Sequence, residues 1–349
     1  MEIARVRFGL VGAGRIGQTY ARAFAASRQA CLVAVADPRG DAVHALGVHA
    51  CPSFPSATAM LEAADLDAVV ICTPPSSHAE LCLQALAAGI PVLCEKPFTI
   101  SVESAERVCD AARLAGVPLS MASKFRSVDG VRRARDLLRA GTLGAVNLLE
   151  IGFTAPVDMR ERWHVDPRIS GGGVLIDNGV HAADLLSVFL GPVTEVWCIE
   201  GPRPQALPVE ETVHLVARGR GGALGVVDLS WSLRRETDDF LCLYGTDGAV
   251  TVGWGGSKCR LRSDADWQPL AGPYDKHAAF VRQLDDFARA VRGEPSLSLT
   301  PEDALASVAF VEAAYNALRT AQGCRSVPLP TTTTAGADHE HVHPSHSHH

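Results

Sequence analysis

Apolar and polar positions along this chain follow two periods in turn. Val6 to Val11 is a short, nearly continuous apolar run; apolar side chains then recur at Ile16, Tyr20, Ala23 and Phe24. The run predicts a buried strand and the recurrence a helix starting near Arg15. The same order repeats down the first third of the chain. "ACLVAVADP" (30–38) reads as a strand, and "LDAVVICTPPSSHAELCLQALAAG" (66–89) as a strand, a Pro-rich loop and a helix. "IPVLCEKPFTIS" (90–101) is another strand, "SVESAERVCDAARLAG" (101–116) a helix with Ser101 at its start, and "VPLSMASKFR" (117–126) one more strand. Strands alternating with helices predict a doubly wound parallel sheet, whose ligands bind beyond the carboxyl ends of the strands.

Beyond this point the strand-like runs follow one another with turn residues between them. They are "AVNLLEIGFT" (145–154), "TEVWCIE" (194–200), "ETVHLVARG" (211–219), "ALGVVDLSWSL" (223–233), "DFLCLYG" (239–245) and "AVTVG" (249–253). "VVDLSWSL" alternates, as a sheet with one wetter face should.

Between the first strand and the first helix lies Gly12-Ala13-Gly14-Arg15-Ile16-Gly17. Gly12 permits the tight turn, Gly14 lets a pyrophosphate approach the backbone, and Gly17 allows close helix–strand packing. The helix start then offers free N–H groups to the phosphates. Asp37 ends the second strand at the distance where an acid holds the adenosine ribose hydroxyls, which favours NAD over NADP. Arg39 partly offsets that preference, so NADP stays possible. Thr73-Pro74 and Glu95-Lys96-Pro97 lie at strand ends on the same rim, and Thr73, Pro74, His78, Glu95 and Lys96 are expected to contact the cofactor there.

Composition narrows the partners. The 349 residues suggest about two domains, and 47% hydrophobic with 20% charged residues is ordinary globular usage. A net charge of -7 argues against nucleic acid or an anionic membrane as partner. No run approaches the ~18 apolar residues of a membrane span, and the start of the chain lacks a signal-peptide layout. Arg132, Arg133, Arg135 and Arg139 have helical spacing and read as a solvated helix face. The ten cysteines are scattered, mostly in apolar runs, and read as reduced thiols of a cytoplasmic protein. The stretch from Pro328 is polar, holds six of the 13 histidines, and is expected to be disordered.

"GGGVLIDNGVHAADLL" (171–186) places Asp177 and His181 four apart, on one face of a helix. The glycines let backbone pass close to something, or let the chain turn sharply. Asp177 as a helix cap and His181 as a core histidine are the plain alternatives. No metal is expected, since His164 and His214 lack ligand spacing.

These motifs together resemble the Gfo/Idh/MocA oxidoreductases: the glycine loop, "CTPPSSH" (72–78), "EKP" (95–97), "SKFR" (123–126), "GTLG" (141–144), "SGGGVLIDNGVHAADL" (170–185) and "LTPEDALASVAFVEAAYNALRTA" (299–321). The likeness runs from residue 5 to about residue 328. It implies a fold of two parts, α/β and α+β. A Rossmann domain (1–122) precedes a substrate-binding and oligomerisation domain (123–330) on a large, mostly antiparallel open sheet, with 331–349 as the tail. It implies hydride transfer between nicotinamide and the CH–OH of a polyol, sugar or sugar derivative. Lys96, Asp177 and His181 are then the catalytic trio.

In that reading His181 accepts the proton, Lys96 donates to the developing alkoxide, and Asp177 orients the imidazole or joins a relay. A cis Lys96–Pro97 peptide would fix the lysine. Lys124, Arg126, Trp163 and His164 join Asp177 and His181 as expected substrate contacts. Trp163 offers a flat face for C–H groups; Arg160, Arg162 and Arg168 add cations that would suit a phosphate, carboxylate or nucleotide sugar. The resemblance also implies a homodimer or homotetramer through the second sheet. Two other readings stay open: a glycosidase that retains its NAD, and a non-catalytic nucleotide-sensing protein.

Overall fold

The computed structural model describes residues 4–48, 51–235, 237–320 and 325–326. The histidine-rich tail lies outside them. The first part of the chain contains β1 (Val6–Val11), β2 (Ala30–Ala36), β3 (Ser53–Phe54), β4 (Ala68–Ile71), β5 (Val92–Glu95) and β6 (Leu119–Ala122). They form one parallel sheet in the order β3-β2-β1-β4-β5-β6. Its helices are α1 (Arg15–Ala26), the short α2 (Gly40–His44), α3 (Ala57–Ala63), α4 (His78–Ala87) and α5 (Val102–Ala115). Ser101 caps α5 as its sequence suggests, accepting the Ser104 N–H at 3.3 Å. Both faces of the sheet are covered, so the strands are apolar throughout. Phe8, Tyr20 and Phe24 fill one face, and Met60, Cys82, Leu86 and Val108 the other.

The second sheet has nine strands in the order β14-β13-β12-β11-β7-β10-β9-β8-β15. They are β7 (Val146–Thr154), β8 (Val193–Glu200), β9 (Thr212–Gly219), β10 (Leu224–Ser230), β11 (Asp239–Gly245), β12 (Gly248–Gly253), β13 (Ser257–Leu261), β14 (Gln268–Ala271) and β15 (Arg325–Ser326). Only β7 and β10 pair in parallel; all other neighbours are antiparallel. The sequence pattern missed β13 and β14, whose exposed positions are too polar to show a period. One face packs on α6 (Asp129–Arg139), α8 (Val174–Leu190) and α10 (Pro301–Arg319). The other carries Trp197, Ile199 and Val216, with Ile199 69% exposed.

Helix α8 holds both Asp177 and His181. Thirteen of its 17 residues are buried, as expected of a helix apolar on nearly every side. The stretch Pro167–Leu190, which includes the short α7 (Pro167–Ser170), is long and apolar enough to cross a membrane, but its most apolar 18 residues are 78% buried within the protein. The last part of the chain returns to the first sheet. Helix α9 (Lys276–Val291) lays Phe280, Leu284 and Phe287 against Phe8 and Tyr20, and α10 adds Ala304 and Val308 to the other face. The chain thus crosses between its two sheets more than once, and the cleft between them is held from both sides. The arginines of α6 are less solvated than their spacing suggests: Arg132 pairs with Asp286 of α9 at 3.3 Å.

Candidate active site

A cleft of about 1070 Å³ runs between the two sheets, along the carboxyl ends of β1, β2, β4 and β5. At one end the glycine loop does what its spacing demands. Gly12 has φ +97°, and a Cβ there would lie 2.9 Å from the Cys72 carbonyl of β4's end. A Cβ on Gly17 would strike the Gly12 carbonyl. A Cβ on Gly14 would meet nothing within 4 Å, so the loop presents bare backbone to the cleft. Gly14, Arg15 and Ile16 line the cleft; Ala13 and Gly17 shape the loop from behind.

Asp37 stands opposite. Its Oδ2 accepts the Ala13 N–H at 2.8 Å and its Oδ1 the Arg39 N–H at 2.9 Å. The Arg39 guanidinium closes on both oxygens at 3.1 Å. Burial pushes the Asp37 pKa up, but these hydrogen bonds outweigh it and hold the carboxyl below its ordinary value. Thr73 and Pro74 form the rim beside Gly12.

His78 does not reach the cleft, contrary to the expectation that it contacts a cofactor. It is fully buried behind the rim, with Nδ1 2.8 Å from the Pro97 carbonyl and Nε2 2.8 Å from the Thr73 carbonyl. It fastens the loop after β4 to the loop after β5.

The Lys96–Pro97 peptide is cis. Lys96 reaches across to α8, where Nζ donates to Asp177 Oδ1 at 2.5 Å and to the Asp177 carbonyl at 3.0 Å. Trp231 Nε1 donates to the other Asp177 oxygen at 3.3 Å. Asp177 is therefore no helix cap. Its carboxyl is raised by burial and lowered more strongly by Lys96, so it stays ionised. Nor does Asp177 orient His181: its oxygens are taken by Lys96 and Trp231. This corrects the role expected from the four-residue spacing.

His181 lines the cleft with both ring nitrogens buried and without a hydrogen-bond partner. Phe125 meets its ring edge-on at 4.9 Å. Burial, then Lys124 and Lys96, push its pKa well below 6.5, so the imidazole is neutral. His164 also lines the cleft, stacked on Trp163 with ring centroids 3.7 Å apart. Burial lowers its pKa to about 4 despite the nearby Asp177 carboxylate.

Glu95, at the cleft floor, accepts from the Tyr20 hydroxyl at 3.0 Å and from the Lys96 N–H at 3.1 Å. Burial raises its pKa against the pull of Lys96. Lys124 and Trp163 also line the cleft. Arg126 does not, and its expected substrate contact is corrected. It is drawn into the core by Asp184 of α8 at 2.6 Å and Asp303 of α10 at 3.1 Å. Arg160 and Arg168 are likewise engaged, by Asp158 and Asp166, which leaves Arg162 at the cleft.

The glycine run before α8 has an answer the sequence did not supply. A Cβ on Gly173 would strike the Glu210 carbonyl, and one on Gly172 the Tyr315 hydroxyl. Glu210 is buried and caps the helix. Its Oε1 accepts the N–H of Gly173 at 3.0 Å and of Leu175 at 3.1 Å, and its carbonyl accepts Val174 N–H at 3.0 Å. Tyr315 donates to the same Oε1 at 2.7 Å. Sequence reasoning also missed Trp231, Trp254 and Lys276 of the cleft wall. Trp231 alone left a trace, as an inward position of the "VVDLSWSL" alternation.

A glycine turn at the strand ends of a doubly wound sheet, facing a buried lysine–aspartate pair, defines a dinucleotide-dependent oxidoreductase architecture. The description "Oxidoreductase family, NAD-binding Rossmann fold" matches residues 6–123, and "GFO/IDH/MocA C-terminal domain" matches residues 131–251; the chain belongs to the GFO/IDH/MocA oxidoreductase family. It is 31% identical to the rhizopine catabolism protein MocA of Rhizobium meliloti, over 90% of this chain and 96% of that one. It is 26% identical to inositol 2-dehydrogenase of the same species (strain 1021), covering 90% and 97%. The solved structure of GenD2 from gentamicin A biosynthesis, in complex with NAD, superposes with a TM-score of 0.81 at 26% identity, covering 94% of this chain and 98% of that one.

Proposed function

We propose that this protein is an NAD-dependent dehydrogenase acting on a secondary alcohol, or the corresponding ketone, of a cyclic polyol, sugar or sugar derivative. The observation that carries the reading is convergence: the glycine loop, the Lys96–Asp177 pair and the neutral His181 all face one cleft.

The residues fit a dinucleotide. Gly14 leaves open space at the start of α1, where free N–H groups and Arg15 suit a pyrophosphate. Ionised Asp37 suits the ribose hydroxyls and disfavours a 2′-phosphate; Arg39, exposed beside it, keeps NADP within reach as a second cofactor. Thr73, Pro74 and Glu95 complete the rim. Bound there, the dinucleotide supplies the hydride acceptor or donor.

The chain's own side chains do the remaining work. Lys96 donates to the substrate oxygen as negative charge builds on it. His181, neutral and buried, takes the hydroxyl proton at a ring nitrogen. Asp177, itself held by Trp231, aims the lysine, and Glu95 fixes the Lys96 backbone. Trp163 and His164 offer a flat wall to the substrate's C–H faces.

We further assign residues 1–122 to cofactor binding and 123–330 to substrate binding and assembly, with α9 bracing the first part. The exposed Ile199 and Val216, with the half-buried Trp197 between them, support a homodimer or homotetramer through the outer sheet face. The free thiols of the nine described cysteines support a cytoplasmic site. The test is turnover: the protein is incubated with NAD, then NADP, across inositols, hexoses, sugar phosphates and nucleotide sugars, and reduced nicotinamide is followed by absorbance. Reduction with one class is expected. Silence across the panel with NAD bound overturns the reading.

A further inference from the structure

The cleft carries more positive charge than its chemistry uses. Six cationic side chains line it, Arg15, Arg39, Lys96, Lys124, Arg162 and Lys276, against three acids, Asp37, Glu95 and Asp177. Yet the chain as a whole bears a net charge of -7. Arg39 is committed to Asp37 and Lys96 to Asp177. Glu95 is held by the Tyr20 hydroxyl and a backbone N–H. Among the described residues, no carboxylate forms an ion pair with Arg15, Lys124, Arg162 or Lys276.

These four cations divide by place. Arg15 begins α1 at the glycine loop and belongs with the pyrophosphate. Arg162 sits on the wall with Trp163 and His164. Lys124 follows β6 and Lys276 opens α9, and the two are near neighbours in the cleft. Lys124 holds its Nζ over the Phe125 ring at 4.7 Å, and Phe125 in turn packs against His181. Burial first, then the like charge of Lys96, push the Lys124 amine down to about 8, with Lys276 adding to them and Glu95 and Asp177 pulling the other way. Lys276 lies in the first turn of α9 beside the capping Asp275, whose Oδ1 accepts the Ala278 N–H at 3.0 Å and forms no ion pair with the lysine. The two amines repel each other within the cleft, and an anion between them relieves both.

We infer that the substrate carries a carboxylate or phosphate, bound by Lys124 and Lys276 beside Trp254 while its carbinol lies at Lys96 and His181. This rests on the dehydrogenase reading above. Lys124, Lys276, Lys96 and His181 all line the one cleft, so a single small molecule can meet them together.

Matched sets test it. Inositols and hexopyranoses are compared with their uronates, aldonates and monophosphates, each by NAD reduction and by calorimetric binding to the NADH-loaded protein. An acidic member is expected to exceed its neutral parent by about tenfold or more in kcat/KM, the worth of one charge-assisted hydrogen bond. Preference for uronate or for phosphate tells the two anions apart. Raising salt should shrink the advantage, since partly open charges are screened. Above pH 8, where Lys124 loses its proton, KM for the acid should rise. Lys124→Met and, independently, Lys276→Met should each collapse the acid-to-neutral ratio, with Lys124→Arg restoring it. Neutral members turned over as well as both acids would overturn the inference and leave the dehydrogenase reading intact. No reduction anywhere sinks the dehydrogenase reading; the binding arm then decides alone, and acids binding no tighter than their parents overturn the inference too.

Discussion

Lys96 and Asp177 form the closest polar contact of the cleft, 2.5 Å between two side chains that are each only 20% exposed. An ion pair this well shielded is held by geometry as much as by charge: the Asp177 carbonyl also accepts from the lysine, and Trp231 anchors the acid from the other side. His181 stands outside the pair with two unsatisfied nitrogens, a state that costs stability unless a ligand supplies the partner. Lys96→Ala and His181→Ala should each lower turnover by about a hundredfold or more, the usual scale of general acid–base catalysis. NAD affinity, read by fluorescence titration, should change only a few-fold. Near-normal turnover in either variant would refute their roles. His164 carries a separate prediction. Its pKa falls from 6.5 unfolded to about 4 folded, so between those values the unfolded chain binds a proton that the folded chain refuses. Stability from this group is therefore fully present above 6.5 and is lost as pH falls toward 4. His164→Gln should flatten the fall of Tm across that window. The comparison of the two proteins removes groups of opposite sign, such as Glu95, whose burial raises its pKa.

At the scale of elements, α8 depends on a cap it does not contain. The first turn of a helix leaves N–H groups without partners, and here Glu210, 37 positions away from Gly173 in the chain, satisfies them. Glu210→Ala strands those donors and the Tyr315 hydroxyl in a buried place. It should destabilise the protein by about 2 kcal/mol in urea unfolding, and it should lower kcat as well, because Asp177 and His181 ride on this helix. Loss of stability without loss of kcat would mean that the helix holds its position unaided. The contrast with α5 explains what could be read in advance. Ser101 and Ser104 are three apart, so the cap is written in adjacent letters. The glycine loop is legible for the same reason, since Gly12 and Gly17 meet within one turn. The glycines at 171–173 announced a close approach but not what approached, because Glu210 and Tyr315 are remote in sequence. The four-residue spacing of Asp177 and His181 put them on one helix face; it could not show that a lysine from another sheet would claim the acid.

Across the whole molecule, the chain ties its two sheets together with charges that the sequence alone assigns wrongly. Arg126 follows the last strand of the first sheet, inside a motif that invites a substrate role. The structure instead gives it Asp184 of α8, whose side chain is fully buried, and Asp303 at the start of α10. Arg282 and Gln283 of α9 add bonds to the Ser127 carbonyl and the Tyr20 hydroxyl, so the same junction is closed from a third direction. Nothing local distinguishes Arg126 from Lys124, two positions earlier; only the packing of α8 and α10 decides that one turns to the core and the other to the cleft. The difference is measurable. Arg126→Met leaves the Asp184 carboxyl buried beside nothing of opposite charge, a defect of roughly 3 kcal/mol. The denaturation midpoint should fall accordingly, with acid-substrate KM at low temperature changing far less than in Lys124→Met. A variant with unchanged midpoint and raised KM would return Arg126 to the substrate. The predicted outcome makes it the fastener that keeps Lys96, carried by the first sheet, within reach of Asp177, carried by the helix on the second.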